Sequence, residues 1–370
     1  ELKETGDMKG LVLTGCLVAR AADDLAEAMP EVDAFVDFAA YSRVADIVSE
    51  VGAGTLTDRI QGDPGTRFDP AWWDATIAAS PRIRFGRAPW AYVKIAEGCD
   101  RGCTFCAIPL MRGKFRSRSM DTIATEIEHL SLQGVTEISL VSQDSVMWGR
   151  DTGGVRGDED LVALLERLER IEGLQRMRLM YLHPQGVTEQ LIEKMIASDK
   201  VVSYFDLSLQ HIAPSVLKRM GRWGGRERFD RMVDRIRTLD PLAAIRSTFI
   251  LGFPGETEAG AREVERFVEE TDLDWVGTFT YSPEVGTAGF DLPDRVEEVV
   301  ARERTERVSS VAERTMESRA AVFVGRTLEV LVERLDHETQ TWSGRSHREA
   351  PEVDGEIRFT SDARLRVGDY

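Results

Sequence analysis

The feature that most constrains the fold is a unit that recurs between Tyr92 and Tyr281. Each unit has a short β-rich run, a polar turn and then a helix with apolar residues at i, i+4 and i+7. The expected strands are Tyr92–Ala96, Glu137–Ser142, Met177–Leu182, Ser203–Leu209, Ile245–Leu251 and Trp275–Thr280. The expected helices are Asp121–Gln133, Asp160–Ile171, Thr188–Ser198, Arg226–Leu239 and Glu258–Thr271. Such a series predicts an α/β fold with a parallel sheet, either open or curled into a partial barrel.

Polar and glycine-rich residues follow every expected strand. In chain order they are Cys99, Cys103 and Cys106; Ser142, Gln143 and Asp144; His183; Gln210 and His211; Gly252, Gly255 and Glu256; and Tyr281. In parallel α/β sheets the chemistry gathers at the carboxyl ends of the strands. These residues therefore predict one rim around one site.

The cysteines indicate a metal. Cys99, Cys103 and Cys106 form C-x3-C-x2-C, and thiolates are soft ligands suited to zinc or iron–sulfur clusters. A structural zinc ion takes four protein ligands, so a zinc site would need a distant histidine such as His129 or His211. An iron–sulfur cube held by three thiolates leaves one iron open to an outside ligand. The βα context favours the cube.

Size and charge limit the class of protein. The chain has 370 residues, which indicates two or three domains. Its net charge of −17 makes nucleic acid a disfavoured partner, because phosphate binding needs clustered Lys and Arg. No apolar run approaches the ~20 residues of a membrane helix. Four cysteines, three of them clustered, indicate a reducing compartment, so we expect a soluble cytoplasmic protein.

The patterns on either side of the repeats predict flanking domains. We expect a partial amino-terminal α/β domain with a linker at 1–85 and the main α/β core at 86–290. A connecting helix at 291–321 and a small antiparallel β-barrel at 322–370 follow. Residues 52–90, rich in Gly, Pro and Asp, are the expected linker. The chain opens at Glu1 without a Met, so we expect it to be part of a longer protein.

The cysteine segment "EGCDRGCTFCAIPLMRGKFRSR" resembles the radical S-adenosylmethionine (SAM) superfamily. The resemblance implies a partial (βα)6 barrel and a four-iron four-sulfur cluster on Cys99, Cys103 and Cys106. In that family the open iron chelates the amino and carboxylate groups of SAM, whose reductive cleavage releases a 5′-deoxyadenosyl radical. The missing fourth ligand is then the cofactor itself.

The same resemblance suggests cofactor contacts. Phe105 would lie beside the adenine, or else belong to the core under the loop. Independently of the resemblance, the alternation of side chains along the fourth and fifth strands predicts that Gln210 and Arg246 face the rim. Arg246 would there pair with the SAM carboxylate or with a neighbouring helix. The family also implies that Ser142, Gln143 and Asp144 hold the methionine amino group, and that Gly252 and Gly255 approach the adenine.

A basic strip follows the cysteines in this acidic chain. It contains Arg112, Lys114, Arg116 and Arg118. Such a strip is either a solvated basic face or a docking strip for the substrate or the second domain. The sequence does not separate the two.

Further motifs narrow the resemblance to the methylthiotransferases. They are "TGCLVAR", "FDLSLQHIAPSVLKRM", "RSTFILGFPGETE" and "GRSHREAPEVDG". The forms "LQH", "IPLMRG" and "APEVDG" resemble the branch that modifies a ribosomal protein. The implied reaction inserts a methylthio group at the β-carbon of an aspartate in small-subunit ribosomal protein S-twelve. One SAM would supply the methyl group and another the radical, and a carboxyl-terminal TRAM barrel would help to grip the substrate.

Cys16 departs from the family pattern. The family has a second four-iron four-sulfur cluster on three amino-terminal cysteines, of which only Cys16 is present. We expect the other two to precede Glu1, so this chain would cleave SAM without completing sulfur insertion. A tRNA methylthiotransferase acting next to the anticodon and a non-catalytic zinc scaffold are the competing hypotheses. The sequence does not identify the sulfur donor, the electron donor, the oligomeric state or a general base.

Overall fold

The amino-terminal part is a small parallel α/β unit. The computed structural model describes residues 6, 8–62, 74–76, 82–152 and 159–370. Strands β1 (Val12–Thr14), β2 (Ala34–Val36) and β3 (Ile60–Gln61) pair in parallel, in that order. Helices α1 (Cys16–Ala28) and α2 (Val44–Ala53) accompany them. The predicted linker therefore contributes β3 to this sheet. A strand of two residues is too short to show periodicity, and residues 63–73 and 77–81 of that linker lie outside the described residues.

The predicted parallel strands form the main sheet of the molecule. They are β4 (Trp90–Lys94), β7 (Glu137–Val141), β8 (Arg176–Leu179), β9 (Tyr204–Gln210), β10 (Ala244–Leu251) and β11 (Trp275–Thr280), and an antiparallel ribbon of β5 (Ala96–Glu97) and β6 (Arg116–Ser117) lies between the first two. Strands β4, β7 and β8 pair in parallel, and so do β9, β10 and β11. Isolated parallel bridges Met177–Val201 and Leu182–Leu207 join the two groups. The partial six-stranded barrel is thus confirmed.

The helices cover the outside of this barrel. They are α3 (Ile108–Arg112), α4 (Met120–Leu132), α5 (Glu159–Glu169), α6 (Glu189–Ala197), α7 (Pro214–Arg219), α8 (Arg226–Leu239), α9 (Glu258–Glu270) and α10 (Glu298–Ala321). Hydroxyl caps fix three helix starts, because the Oγ atoms of Ser119, Thr188 and Thr257 accept hydrogen bonds from the free amides of the first turn. Among the described residues, we find no helix with the length and apolarity needed to cross a bilayer.

The first strand ends two residues earlier than predicted. Tyr92–Ala96 was the expected range, whereas β4 ends at Lys94. Ala96 and Glu97 instead pair antiparallel with Ser117 and Arg116. This switch of partner turns the chain out of the barrel and into the loop that carries Cys99, Cys103 and Cys106, here called the cysteine loop.

An antiparallel sheet forms the carboxyl-terminal part, as predicted. It contains β12 (Leu331–Asp336), β13 (Thr341–Arg345) and β14 (Ile357–Phe359). It follows α10, which spans most of the predicted connecting segment.

Residues 345–355, here called the plug, lie inside the barrel. The plug contacts a side chain from each of the six parallel strands of the barrel. Three of these side chains donate hydrogen bonds to plug carbonyls: Tyr92 to Pro351, Arg178 to His347 and Trp275 to Arg348. The other three contact plug side chains: Glu137 pairs with Arg345, and Tyr204 and Arg246 pair with Asp354. A segment that reaches all the strands lies within the ring they form, since helices cover the outside. The "GRSHREAPEVDG" motif therefore completes the core of the barrel.

A buried charge cluster anchors the plug. The Glu137 carboxylate accepts a hydrogen bond of 2.7 Å from Nη1 of Arg345, and nitrogens of Arg176 and Arg178 lie 3.5 and 3.9 Å from its oxygens. None of the four side chains is more than 5% exposed. Because water is excluded, the three arginines share this carboxylate, and Arg176 and Arg345 are further compensated by Glu329 and Glu333.

Replacing Glu137 with Gln should destabilise the fold strongly. The substitution removes the buried carboxylate that three guanidinium groups share, although Arg176 and Arg345 keep Glu329 and Glu333. Breaking such a buried pair costs about 3 kcal/mol or more. Urea unfolding followed by circular dichroism measures this. The matched control is Glu298→Gln, because Glu298 is 73% exposed in its pair with Arg302, and such a pair contributes less than about 1 kcal/mol. Equal, small losses in both variants would contradict the anchoring role.

Candidate active site

A cavity of about 610 Å³ opens at the carboxyl ends of the parallel strands. Of the residues predicted from the sequence, it is lined by Cys16, Cys99, Cys103, Phe105, Cys106, Ser142, Gln143, Asp144, His183 and Gln210. Other lining residues were not predicted as site residues, among them Lys94, Arg101, Tyr181, Arg222 and Val353. The cavity therefore brings together residues from the first four expected strand ends, with one further wall from the plug. The residues expected after the fifth and sixth strands, namely Gly252, Gly255, Glu256 and Tyr281, do not line it.

The conformation of the cysteine loop depends on Gly98 and on backbone hydrogen bonds to neighbouring segments. Gly98 has φ +78°, and a Cβ there would lie 2.2 Å from the Lys114 carbonyl oxygen, so a side chain does not fit. The Cys99 amide donates to the Gly113 carbonyl at 3.1 Å. The Thr104 amide donates to the Met220 carbonyl at 3.0 Å. These bonds fix the loop between α3 and α7.

The four cysteines are free thiols. Burial raises the pKa of Cys99 to about 11 and also raises that of Cys106. Metal binding to these groups would therefore release protons. Within the described part of the chain, no group of three or more Cys, His, Asp or Glu is close enough to hold one ion. A four-iron cube binds its thiolates on separate irons, so its ligands lie farther apart than those of a single ion.

The histidines considered for a zinc site are placed elsewhere. His129 lies on α4, in the outer layer. His211 is fully buried, where its Nδ1 accepts from the Ala213 amide and its Nε2 lies 3.2 Å from Glu256. Neither lines the cavity. The geometry therefore does not support a zinc site built on them.

The residues present fit a cluster with a polar cofactor beside it. The three thiols of the loop face one cavity. Buried polar atoms there have no partner within the protein: Arg101 Nη2, Gln143 Oε1 and Asp144 Oδ1. Buried polar groups normally have partners, so these atoms indicate a polar ligand.

Arg101 and Asp144 connect the cysteine loop to the second strand end. Nε of Arg101 donates to Asp144 at 2.6 Å, and Nη1 donates to Gln185 at 3.1 Å. Burial raises the pKa of Asp144, although Arg101 opposes this. Arg101 stands two residues after Cys99, so its position was the available signal for a role that sequence reasoning missed.

Arg222 reaches the cysteine loop from the segment after α7. Its Nη1 lies 3.4 Å from Cys103 Sγ, and its Nη2 donates to the Ser208 carbonyl. Burial and the charges of Arg222 and Arg101 lower the pKa of His183 to about 2. His183 is therefore a neutral side chain, and its Nδ1 accepts from the Gln185 amide at 3.3 Å.

Cys16 lines the same cavity although it lies in the amino-terminal unit. Nη2 of Arg112 donates to Cys16 Sγ at 3.2 Å, and Nη1 donates to Glu97 at 2.7 Å. The guanidinium also lies over the Phe38 ring, with 4.5 Å to its centroid. Arg112 thus joins the two units at the site, which for this residue corresponds to the second-domain contact that the sequence left open for the basic strip.

The basic strip divides into two parts. Arg112 faces the cavity, and Arg118 is buried, with bonds to Asp74 and Glu126. Lys114 and Arg116 are exposed. The strip is therefore neither a uniform solvated face nor a single docking strip.

Arg246, Gly252 and Gly255 do not line the cavity. Arg246 pairs with Asp206 of β9 at 2.8 Å and with Asp354 of the plug at 3.5 Å. Its ion pairs are therefore with a neighbouring strand and the plug, whereas the alternative left open above was a neighbouring helix. Gly252 has φ +80°, and a Cβ there would lie 2.3 Å from that of Ala301. Contact of these residues with the cofactor stays a prediction.

Comparisons with known proteins agree with this arrangement. The family model "Radical SAM superfamily" matches residues 93–268, and "TRAM domain" matches 324–370. Proteins named ribosomal protein uS12 methylthiotransferase RimO are similar along the whole chain. The Streptomyces coelicolor protein is 39% identical over 100% of this chain and 80% of its own length, and the Desulforamulus reducens protein is 38% identical over 100% of this chain and 81% of its own length.

The chain belongs to the RimO family. Another RimO protein, from Geobacter sulfurreducens, is 38% identical over 99% of this chain and 80% of its own length. Among solved structures, the radical SAM methyltransferase TsrM from Kitasatospora setae aligns with a TM-score of 0.55 and 17% identity, over 73% of this chain and 55% of that one. That likeness shows the fold alone.

His183 should stay neutral through the physiological range. Its folded pKa of about 2 is far below the ordinary 6.5, so only the unfolded chain takes up this proton as pH falls below about 6.5. This group's contribution to stability is therefore complete above about pH 6.5 and is lost as pH falls toward 2. In NMR spectra of histidine-labelled protein, the His183 signal, assigned with the His183→Asn variant, should not titrate from pH 5 to 8. The urea-unfolded chain should titrate near 6.5, and a folded His183 midpoint in that range would contradict the assignment.

Proposed function

We propose that this chain is a radical SAM methylthiotransferase that modifies the β-carbon of an aspartate in small-subunit ribosomal protein uS12, the S-twelve protein named above. Similarity to RimO proteins along the whole chain supports the reaction and the substrate. The observation that carries the proposal is the cavity that Cys99, Cys103 and Cys106 share at the strand ends. It places the thiols where this fold does its chemistry.

The cysteine loop would hold a four-iron four-sulfur cluster. The polar atoms of Ser142, Gln143 and Asp144 would bind SAM, with Phe105 and Gln210 on the same wall. The bound cluster and SAM would together supply one-electron reductive chemistry that removes hydrogen from an unactivated carbon, and a second SAM would supply the methyl group.

The chain's own residues keep this site fixed. Arg101 holds the Asp144 carboxylate against the cysteine loop, and Arg222 donates to Cys103 Sγ. Val353 of the plug forms another wall. We infer that these contacts orient the cofactor and exclude water from the reacting carbon.

Cys16 would be a ligand of the auxiliary cluster that supplies sulfur. Its place in the same cavity supports this role. A position at the reacting site is what a sulfur source needs, because the methylthio group and the substrate carbon must meet. The bond from Arg112 holds its thiol toward the cavity.

We infer a cytoplasmic location. A ribosomal protein is the proposed substrate, and iron–sulfur thiolates persist in reducing compartments.

The full-length protein, with reconstituted clusters, SAM and a reductant, should add one methylthio group to a single aspartate of uS12. Mass spectrometry of the digested ribosomal protein measures the gain and its position. Omitting SAM is the control. Unmodified uS12 together with a modified tRNA adenosine would overturn the proposal in favour of the tRNA branch.

Replacing Cys106 with Ala should abolish the cluster of the cysteine loop. A cube held by two thiolates loses a bond that the protein does not replace, so bound iron should fall by about four atoms per chain. Anaerobic reconstitution followed by iron analysis and visible absorption measures this. Cys16→Ala is the matched control and should retain SAM cleavage to 5′-deoxyadenosine, whereas Cys106→Ala should lose it. Unchanged iron and SAM cleavage in Cys106→Ala would contradict the assignment.

A further inference from the structure

Positive charge is concentrated in the cavity of a strongly acidic protein. The chain carries a net charge of −17. Four cations nevertheless line the cavity, namely Lys94, Arg101, Arg112 and Arg222, and Asp144 is the carboxylate among its lining residues. A cleft lined by one sign of charge attracts ligands of the other sign. Cationic side chains therefore outnumber carboxylates in the lining, which favours an anionic ligand.

The four cations form two groups. Arg101 and Arg222 are the cations next to the cluster cysteines. Arg101 lies in the cysteine loop and donates to Asp144, and Arg222 contacts the loop by donating to Cys103 Sγ. Both also contribute to the lowered pKa of His183. We assign this group to the cluster and the cofactor.

Lys94 and Arg112 form the other group, around Glu97. Nζ of Lys94 lies 2.5 Å from Oε2 of Glu97, and Nη1 of Arg112 lies 2.7 Å from Oε1. Glu97 is only 5% exposed. Burial acts to raise its pKa, but Lys94 and Arg112 outweigh this and keep the pKa low. One ionised carboxylate thus holds both Lys94 and Arg112 in place.

This group lies where a substrate must be placed. Lys94 ends β4, and Arg112 ends α3. Arg112 also donates to Cys16, while Glu97 lies two residues before Cys99. The group therefore connects the cysteine of the amino-terminal unit with the start of the cysteine loop. A substrate carbon that reacts with groups bound at Cys16 and at the cysteine loop would therefore lie next to Lys94 and Arg112.

The substrate of the proposed reaction brings its own charge. The β-carbon of an aspartate is bonded directly to a carboxylate, so the two enter the cavity together. Enclosing an ionised carboxylate is costly unless a cation pairs with it. Two cations whose donor groups are held in place meet that need.

We propose that Lys94 and Arg112, held by Glu97, bind the side-chain carboxylate of the substrate aspartate and so determine the choice of residue. This inference rests on the proposed function. Glu97 is then a positioning residue, because it acts through the two cations. The site rejects asparagine, since an amide has no charge to pair with the cations and presents N–H donors to them.

The test compares aspartate with its amide in the reconstituted full-length holoenzyme. The substrates are uS12 and a uS12 variant with the modified aspartate replaced by asparagine. The enzymes are wild type, Lys94→Met, Lys94→Arg and the control Lys218→Met. Lys218 is exposed on α7 and does not line the cavity. Mass spectrometry gives kcat and KM for methylthio transfer.

Wild type and Lys218→Met should prefer aspartate by about 30-fold or more in kcat/KM, the range for a desolvated charge pair. Lys94→Met should lose about that factor with aspartate, through a higher KM, and lose most of the preference. Lys94→Arg should restore part of both, because it keeps the charge. A merely structural role would lower activity on both substrates and leave their ratio unchanged.

An unchanged aspartate preference in Lys94→Met, with cluster iron retained, would overturn the inference and leave the proposed function standing. Absence of methylthio transfer to uS12 by wild type would overturn both.

Discussion

The buried carboxylate of Glu137 is the constraint on which the architecture depends. It accepts a hydrogen bond from Arg345 of the plug, while Arg176 and Arg178 approach from the neighbouring strand. The strands alone would leave an open interior, since a partial barrel does not close on itself. The plug fills that interior, and its Val353 reaches the cavity. The carboxyl-terminal domain is thus part of the catalytic fold as well as an appended module.

The protein as a whole and the lining of its site differ in the sign of their charge. The net charge of −17 suits a basic partner such as a ribosomal protein, whose ordinary ligand is RNA. The cavity has the opposite sign, because its cations are brought in from β4, the cysteine loop, α3 and the segment after α7. An acidic exterior and a cationic interior together favour a basic protein that presents one carboxylate. This is the chemistry of the proposed substrate.

Local patterns predicted the scaffold well, and long-range contacts account for what they missed. The apolar period placed α8 at its observed bounds, Arg226–Leu239, because a helix carries its signal within itself. Strand parity aimed Arg246 at the rim, yet Asp354 of the plug pairs with it from far along the chain. The approach of Cys16 to Arg112 joins residues 96 positions apart. Such polar contacts leave no periodic trace, so only the folded chain reveals them.

The central claim is that three thiolates hold the cluster and that SAM completes its coordination. Electron paramagnetic resonance of the reduced cluster, with the auxiliary cluster removed by Cys16→Ala, tests it most directly. We predict that adding SAM changes the signal, and that nitrogen-15 in the SAM amino group gives a resolved coupling to the cluster. A signal unchanged by SAM, or a coupling from a protein side chain at the fourth iron, would contradict the account.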